Sequence, residues 1–226
     1  MMTTNIASRA DHTNRRMFET DARAAVDLRF GTLLPDGEWA KLPAAIQRRF
    51  SKRLANGATS VYVGEVREMR MSMLGWLLAQ ALRLIGGPLP TALATKVPSI
   101  VTVSEDMATG GQIWTRLYVR HNGFPQVIHS SKRFAGPTGL EEYVGFGIGM
   151  ALTISVMNAV LVFRSSSYFV QLGKWRVPLP SWMTPGTIVV SHEELGGGRF
   201  LFTLEVAHPR FGLLVRQSIV FQESYP

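Results

Sequence analysis

The chain contains no cysteine, which removes disulfides and thiolate metal ligation together and fits a reducing setting. It also lacks a long hydrophobic run. Its most apolar helix candidate, MLGWLLAQALRLIGG from Met73, is too short to span a bilayer and carries Gln80 and Arg83. The polar start, MMTTNIASRADHTNRRMFETDARAA, has no apolar core of the signal-peptide type, so a cytoplasmic location is expected. The five histidines are dispersed without HxH or HExxH spacing, and no metal site is expected. In SHEE, Ser191 to Glu194, adjacent strand residues point to opposite faces. No GxSxG elbow supplies a nucleophilic serine. GFGIGM, Gly145 to Met150, lacks the lysine and following helix of a phosphate loop and reads as a bend or a close backbone approach. No catalytic residue is assigned, no cofactor is expected, and the chain reads as noncatalytic. Zinc-finger spacing, an aromatic RNA-binding strand motif and a helix-turn-helix are all missing, so nucleic acid is not an expected partner.

What is present suits one globular domain with a substantial core: 226 residues, 46% hydrophobic and 18% charged. Residues 1–25 read as a flexible leader and 26–226 as a single α+β domain. The formal charge of +8 favours anionic partners. Its densest cluster, Arg48, Arg49, Lys52 and Arg53, lies in a helix expected from about Trp39 to Leu54 and reads as a solvated face. A second helix, from about Met73 to Ile85, is expected to be buried, with peripheral membrane contact as the alternative. From Pro98 onward, short alternating segments separated by turn residues predict an antiparallel meander of about 8 to 10 strands, strongly curved or closed into a barrel. MALTISVMNAVLVFRS is read as one strand, apolar on both faces.

Hairpin registers assign faces. Asn122–Gly123 suits a two-residue type I′ turn pairing His121 with Phe124. Trp114, Arg116, Tyr118 and Arg120 then share a face with Ser131, His129, Val127 and Pro125. Aromatic and guanidinium groups beside a histidine and a serine make a plausible cradle for a carboxylate or phosphate head group, with Glu141 or Glu142 as the neighbouring carboxylate. Ser131 has no partner that would make it nucleophilic. The expected ligand site is therefore Trp114, Arg116, Tyr118, His129, Ser131 and Glu142.

In the late hairpin, a three-residue loop pairs Leu195 with Arg199 and gathers Ile188, Val190, Phe200, Phe202, Leu204 and Val206 on one face, with His192 and His208 at its two ends. The prolines of WRVPLPSWMTPG exclude a central strand. Trp175, Leu179 and Trp182 are expected to lid one end of the sheet, so Trp175, Trp182, His192 and His208 form a candidate pocket rim.

The segments WTRLYVR, PQVIHSSKRF, GLEEYVGFGIGM, LPSWMTPG, SHEELGGGRFLFTLEVAHPRFG and VRQSIVFQ, in that order, resemble the bacterial domain-of-unknown-function family DUF4166 over about Phe30 to Gln222. Such domains follow saccharopine-dehydrogenase-like or short-chain dehydrogenase domains. The resemblance marks Trp114, Arg116, Ser131, Glu142, Pro180, His192, Phe200 and His208 without giving them roles. This chain has no glycine-rich βαβ unit and cannot bind a dinucleotide in the usual way. The expected function is a noncatalytic module for a small apolar or amphipathic anionic molecule. The alternative is an accessory domain that docks onto a separately encoded NAD(P)-dependent oxidoreductase through the Arg48 to Arg53 helix.

Overall fold

The computed structural model describes residues 26–55 and 57–223; the leader expected over residues 1–25 lies outside them. Eleven strands run β1 (Thr59–Met71), β2 (Pro98–Asp106), β3 (Gly111–Tyr118), β4 (Gln126–Arg133), β5 (Glu141–Gly145), β6 (Ile148–Met157), β7 (Val160–Leu172), β8 (Trp175–Pro178), β9 (Thr187–Gly196), β10 (Arg199–His208) and β11 (Gly212–Glu223). All pairings are antiparallel, and ten strands close into a barrel in the order β1 to β7, β9, β10, β11 and back to β1. Closure leaves no long open edge. β8 is the additional strand. It pairs only with Phe169–Leu172 of β7, on the edge that β9 occupies further along at Leu161–Arg164. With two prolines at its end it is an edge strand, as the sequence requires.

The meander differs from its sequence reading at MALTISVMNAVLVFRS, which is a hairpin. Asn158 and Ala159 both have positive φ, 51° and 64°, and Met157 pairs with Val160 around them. Asparagine tolerates this conformation and alanine does so at a cost, so the turn carried no NG-type signature. GFGIGM is the bend expected of it: Gly145, Phe146 and Gly147 turn between β5 and β6 at positive φ.

Helices cover the two ends of the barrel. α1 (Arg29–Thr32) and α2 (Ala44–Phe50) fill one end with Phe30, Leu34, Leu42, Ile46 and Phe50, all buried. Rings of Phe50, Phe134 and Phe163 surround Phe30 at 4.8 to 6.0 Å. The single helix expected over Trp39 to Leu54 is broken by Pro43, whose extended ψ of 143° separates a 3₁₀ turn (Trp39–Lys41) from α2.

At the other end α3 (Met73–Ala81) continues into a 3₁₀ turn (Leu82–Ile85). Ser72 caps α3, its hydroxyl accepting from the Gly75 amide at 3.0 Å. This helix was expected to be buried and is not. Only Gly75 and Ala79 are buried, while Met73, Leu74, Trp76 and Leu77 are exposed. The reason is the close approach of α3 to β11: a Cβ on Gly75 would collide with the Leu214 carbonyl. The small residues make the contact, so the large ones face outward.

On helix propensity alone Gly75→Ala would stabilise by about 1 kcal/mol. The backbone collision reverses the sign, and the substitution should cost about 1–3 kcal/mol in urea unfolding. A gain in stability would show that α3 does not pack as described.

Candidate functional site

The β3–β4 register decides which side chains meet inside the barrel, and it differs by one residue from the two-residue-turn expectation. Trp114 pairs with Ser130, Arg116 with Ile128 and Tyr118 with Gln126. Pairing ends there, leaving 119–125 as a loop. Pro125 has no amide to donate to a ladder. The Gln126 side chain ties the loop to a neighbouring segment, accepting from the Thr91 amide at 2.9 Å and donating to the Leu89 carbonyl at 2.9 Å. A one-residue shift exchanges the faces of the whole of β4. Ile128, Ser130 and Lys132 therefore turn inward and are buried.

His129 and Ser131 are accordingly not beside Arg116. They lie on the outer face, where His129 Nδ1 is 3.0 Å from the Thr115 hydroxyl and Ser131 donates to Asp106 at 2.9 Å. Trp114, Arg116, Tyr118 and Glu142 do converge in the interior, joined by Lys132 and Ser130, which the sequence reading missed. Lys132 sits directly across from Glu142 in the β4–β5 ladder and donates to its carboxylate at 3.0 Å. Its ammonium also lies 4.7 Å from the Trp114 ring centre. Arg116 donates to the Ser130 hydroxyl at 2.6 Å and approaches Glu142 at 3.5 Å, but its Nε has no partner. Two cationic side chains thus face one largely buried carboxylate.

Burial alone would raise Glu142, but Lys132 and then Arg116 outweigh it and hold the carboxyl below the usual carboxylate range. Burial lowers Lys132, with Glu142 opposing and Arg116 assisting.

The late hairpin has the expected register: Phe200 pairs with Glu194 and Phe202 with His192, after a bulge at Leu195 that lets Arg199 face Gly196. His192 is consequently buried among Phe50, Phe202, Phe163, Phe200 and Trp114, at ring distances of 4.9 to 6.2 Å. Burial, then Arg49 and Lys132, push it well below the ordinary histidine range, so it is neutral. His208, at the end of β10, is only partly buried and stacks on Phe211 at 4.7 Å. Of the basic cluster expected to be solvated, Arg49 is not: its side chain is 3% exposed, paired with Glu223 at 2.6 Å and Glu194 at 3.2 Å. It also lies over Phe200 at 3.7 Å. It shares the inward stripe of α2 with Ile46 and Phe50, a spacing visible in the sequence.

Two spaces meet at Arg116 and Glu142. The inner one, about 30 Å³, is bounded by Arg49, Tyr62, Trp114, Tyr118, Lys132 and His192 among others. Unpartnered atoms of three of its wall residues, Arg49 Nη1, Arg116 Nε and His192 Nδ1, belong to this region. The outer one, about 150 Å³, is apolar and opens between the 3₁₀ turn after α3, the β5–β6 turn and the segment after β8; Leu82, Ile85, Met150, Tyr168, Leu179 and Met183 are part of its wall. Tyr168 is neutral, pushed up to about 12 by burial, and donates to the Gly186 carbonyl at 2.7 Å. Leu179 thus does cover the cavity, but Trp175 and Trp182 do not seal it. They are 78% and 79% exposed, and neither lines it.

The fold and this interior define a closed antiparallel β-barrel with an apolar cavity above a charged floor. Residues 42–221 match the family described as Domain of unknown function (DUF4166), and the chain belongs to that family. No match was found among the curated proteins. Among the described residues no helix is long and apolar enough to cross a membrane.

Glu142→Gln should destabilise the barrel by about 3–5 kcal/mol in denaturant unfolding, since it leaves Lys132 and Arg116 buried without a counter-charge. Folded-state pKa values below the ordinary ones at Glu142 and Asp106 contribute stability that is complete above the unfolded values, about 4. That contribution is lost as pH falls through the folded ones. Thermal unfolding followed downward from neutral pH should show the loss begin near about pH 4 and shrink in Glu142→Gln.

Proposed function

We propose that the protein is a binding module for an amphipathic anion, its acidic head on Arg116 and its apolar body in the outer cavity. The observation that carries this reading is the Arg116 guanidinium at the base of an apolar cavity, with its Nε unpartnered and its charge only partly answered by Glu142, which Lys132 also engages. A buried cation of this kind is favoured by a second carboxylate or an equivalent anion. The walls supply the area that holds an apolar group, and a few polar atoms at one end fix its orientation. A space of this volume encloses a group about the size of a benzene ring, so a longer body extends through the mouth. The neutral His192 and Tyr168 add polarity without adding charge.

The test compares dodecanoate, dodecanol and dodecyltrimethylammonium by calorimetric titration. Dodecanoate should bind at least about tenfold more tightly than the other two. Arg116→Met should erase the preference while the protein stays folded, because Glu142 keeps Lys132 as its partner. Arg116→Lys retains charge without the planar fork and should keep part of it. Equal affinity of the unaltered protein for all three chains would refute the reading.

A further inference from the structure

The elements around the cavity mouth expose apolar side chains at positions adjacent to those lining it. Leu84 lies between Leu82 and Ile85, Trp182 precedes Met183, and Phe146 lies between Val144 and Ile148. The flanking residues line the cavity, while Leu84, Trp182 and Phe146 are 84%, 79% and 77% exposed. These segments are neighbours: a Cβ on Gly145 would meet the Ile85 carbonyl, and the Gln171 amide bonds the Gly147 carbonyl at 2.8 Å. α3 extends the same surface with Met73 and Leu77, one turn apart on the side away from Gly75 and Ala79.

The charge around this rim has one sign. The stretches 69–104, 143–192 and 206–222 contain no aspartate or glutamate, and they supply α3, the β5–β6 turn, β8 and the β10–β11 turn. Arg83, Lys174 and Arg210 lie at this end and have no carboxylate partner among the described residues. The opposite, plugged end differs in holding carboxylates: Arg29 is paired with Asp27, and Arg133 with Asp106, beside Arg48, Lys52 and Arg53, which have no carboxylate partner among the described residues.

We propose that the mouth end of the barrel docks onto an anionic lipid bilayer, with Leu84, Trp182, Phe146 and the outer side of α3 entering the interface and Arg83, Lys174 and Arg210 meeting lipid phosphates. Tryptophan, phenylalanine and leucine with interspersed cations and no carboxylates is the chemistry that partitions to a headgroup boundary. A soluble protein partner of ordinary surface would offer carboxylates to only some of these positions, whereas a bilayer answers the whole rim at once. Docking would also set the cavity opening against the acyl region. This inference does not depend on what the cavity holds.

Sedimentation with vesicles of phosphatidylcholine, with and without phosphatidylglycerol, tests it. Binding is expected to the mixed vesicles, falling with added salt and accompanied by a blue shift of tryptophan emission that brominated lipid quenches. The double variant Leu84→Glu with Trp182→Glu should weaken binding on the order of tenfold or more. Met107→Glu, on the exposed β2–β3 turn at the plugged end, should leave it unchanged. Circular dichroism and thermal unfolding confirm that both variants fold; both sites are exposed, and if the double variant fails to fold, Leu84→Ser alone with the quenching readout decides. Absence of sedimentation with mixed vesicles, equal loss in Met107→Glu, or a dimer that the rim substitutions split without any vesicle binding would each overturn the proposal.

Discussion

A carboxylate buried inside a small barrel has to be answered within reach of its own oxygens, because little water is left around it to solvate the charge. Glu142 is that carboxylate, and much of the surrounding geometry is what answering it requires. Lys132 reaches it straight across the β4–β5 ladder. Arg116 reaches it from β3, braced by Ser130. Both require β4 to present its even-numbered residues inward, and that in turn fixes the β3–β4 register and places Ile128 in the core. Had β4 slipped by one residue, His129 and Ser131 would face Arg116, and Glu142 would lose Lys132.

The barrel treats its two ends differently. One has its barrel interior plugged by Phe30, Ile46 and Phe50, with Arg49 held in a cage of Glu194, Glu223 and Phe200. The other keeps a space open. Gly75 draws the small face of α3 against β11 and turns Trp76 and Leu77 outward. The charged floor lies between the two ends, where Arg116 and Glu142 border both interior spaces.

Much of the architecture was legible along the chain. Alternation and turn residues marked β1, β2 and β9 to β11, and the glycines at 196–198 set a register that holds beyond a single bulge. The prolines around Leu179 correctly excluded β8 from the middle of the sheet. The Asn158–Ala159 turn escaped notice because alanine at positive φ leaves no compositional mark. Pro43 was visible, yet the apolar spacing on either side of it outweighed its signal. At the site, the alternation of β3 groups Trp114, Arg116 and Tyr118 on one face, with Glu141 or Glu142 as the neighbouring carboxylate, but nothing local shows that this face points into the barrel. The Asn122–Gly123 pair favours a tight turn that would put His129 and Ser131 on that face, but Pro125 and the Gln126 tether hold β4 in the other register.

The sequence by itself determined the class of structure and the kinds of group available: a meander of β-branched and aromatic alternation that must close or curve, no thiol, no metal spacing, and a basic balance. These depend on period and composition, which are local. Only the tertiary structure decided that Lys132 answers Glu142, that Arg49 turns inward, that α3 lies with its large residues outward and that a cavity opens beside Arg116. Each of these rests on a contact between residues far apart in the chain, and its outcome turns on a shift of one residue or the clearance of one Cβ, which no local pattern records.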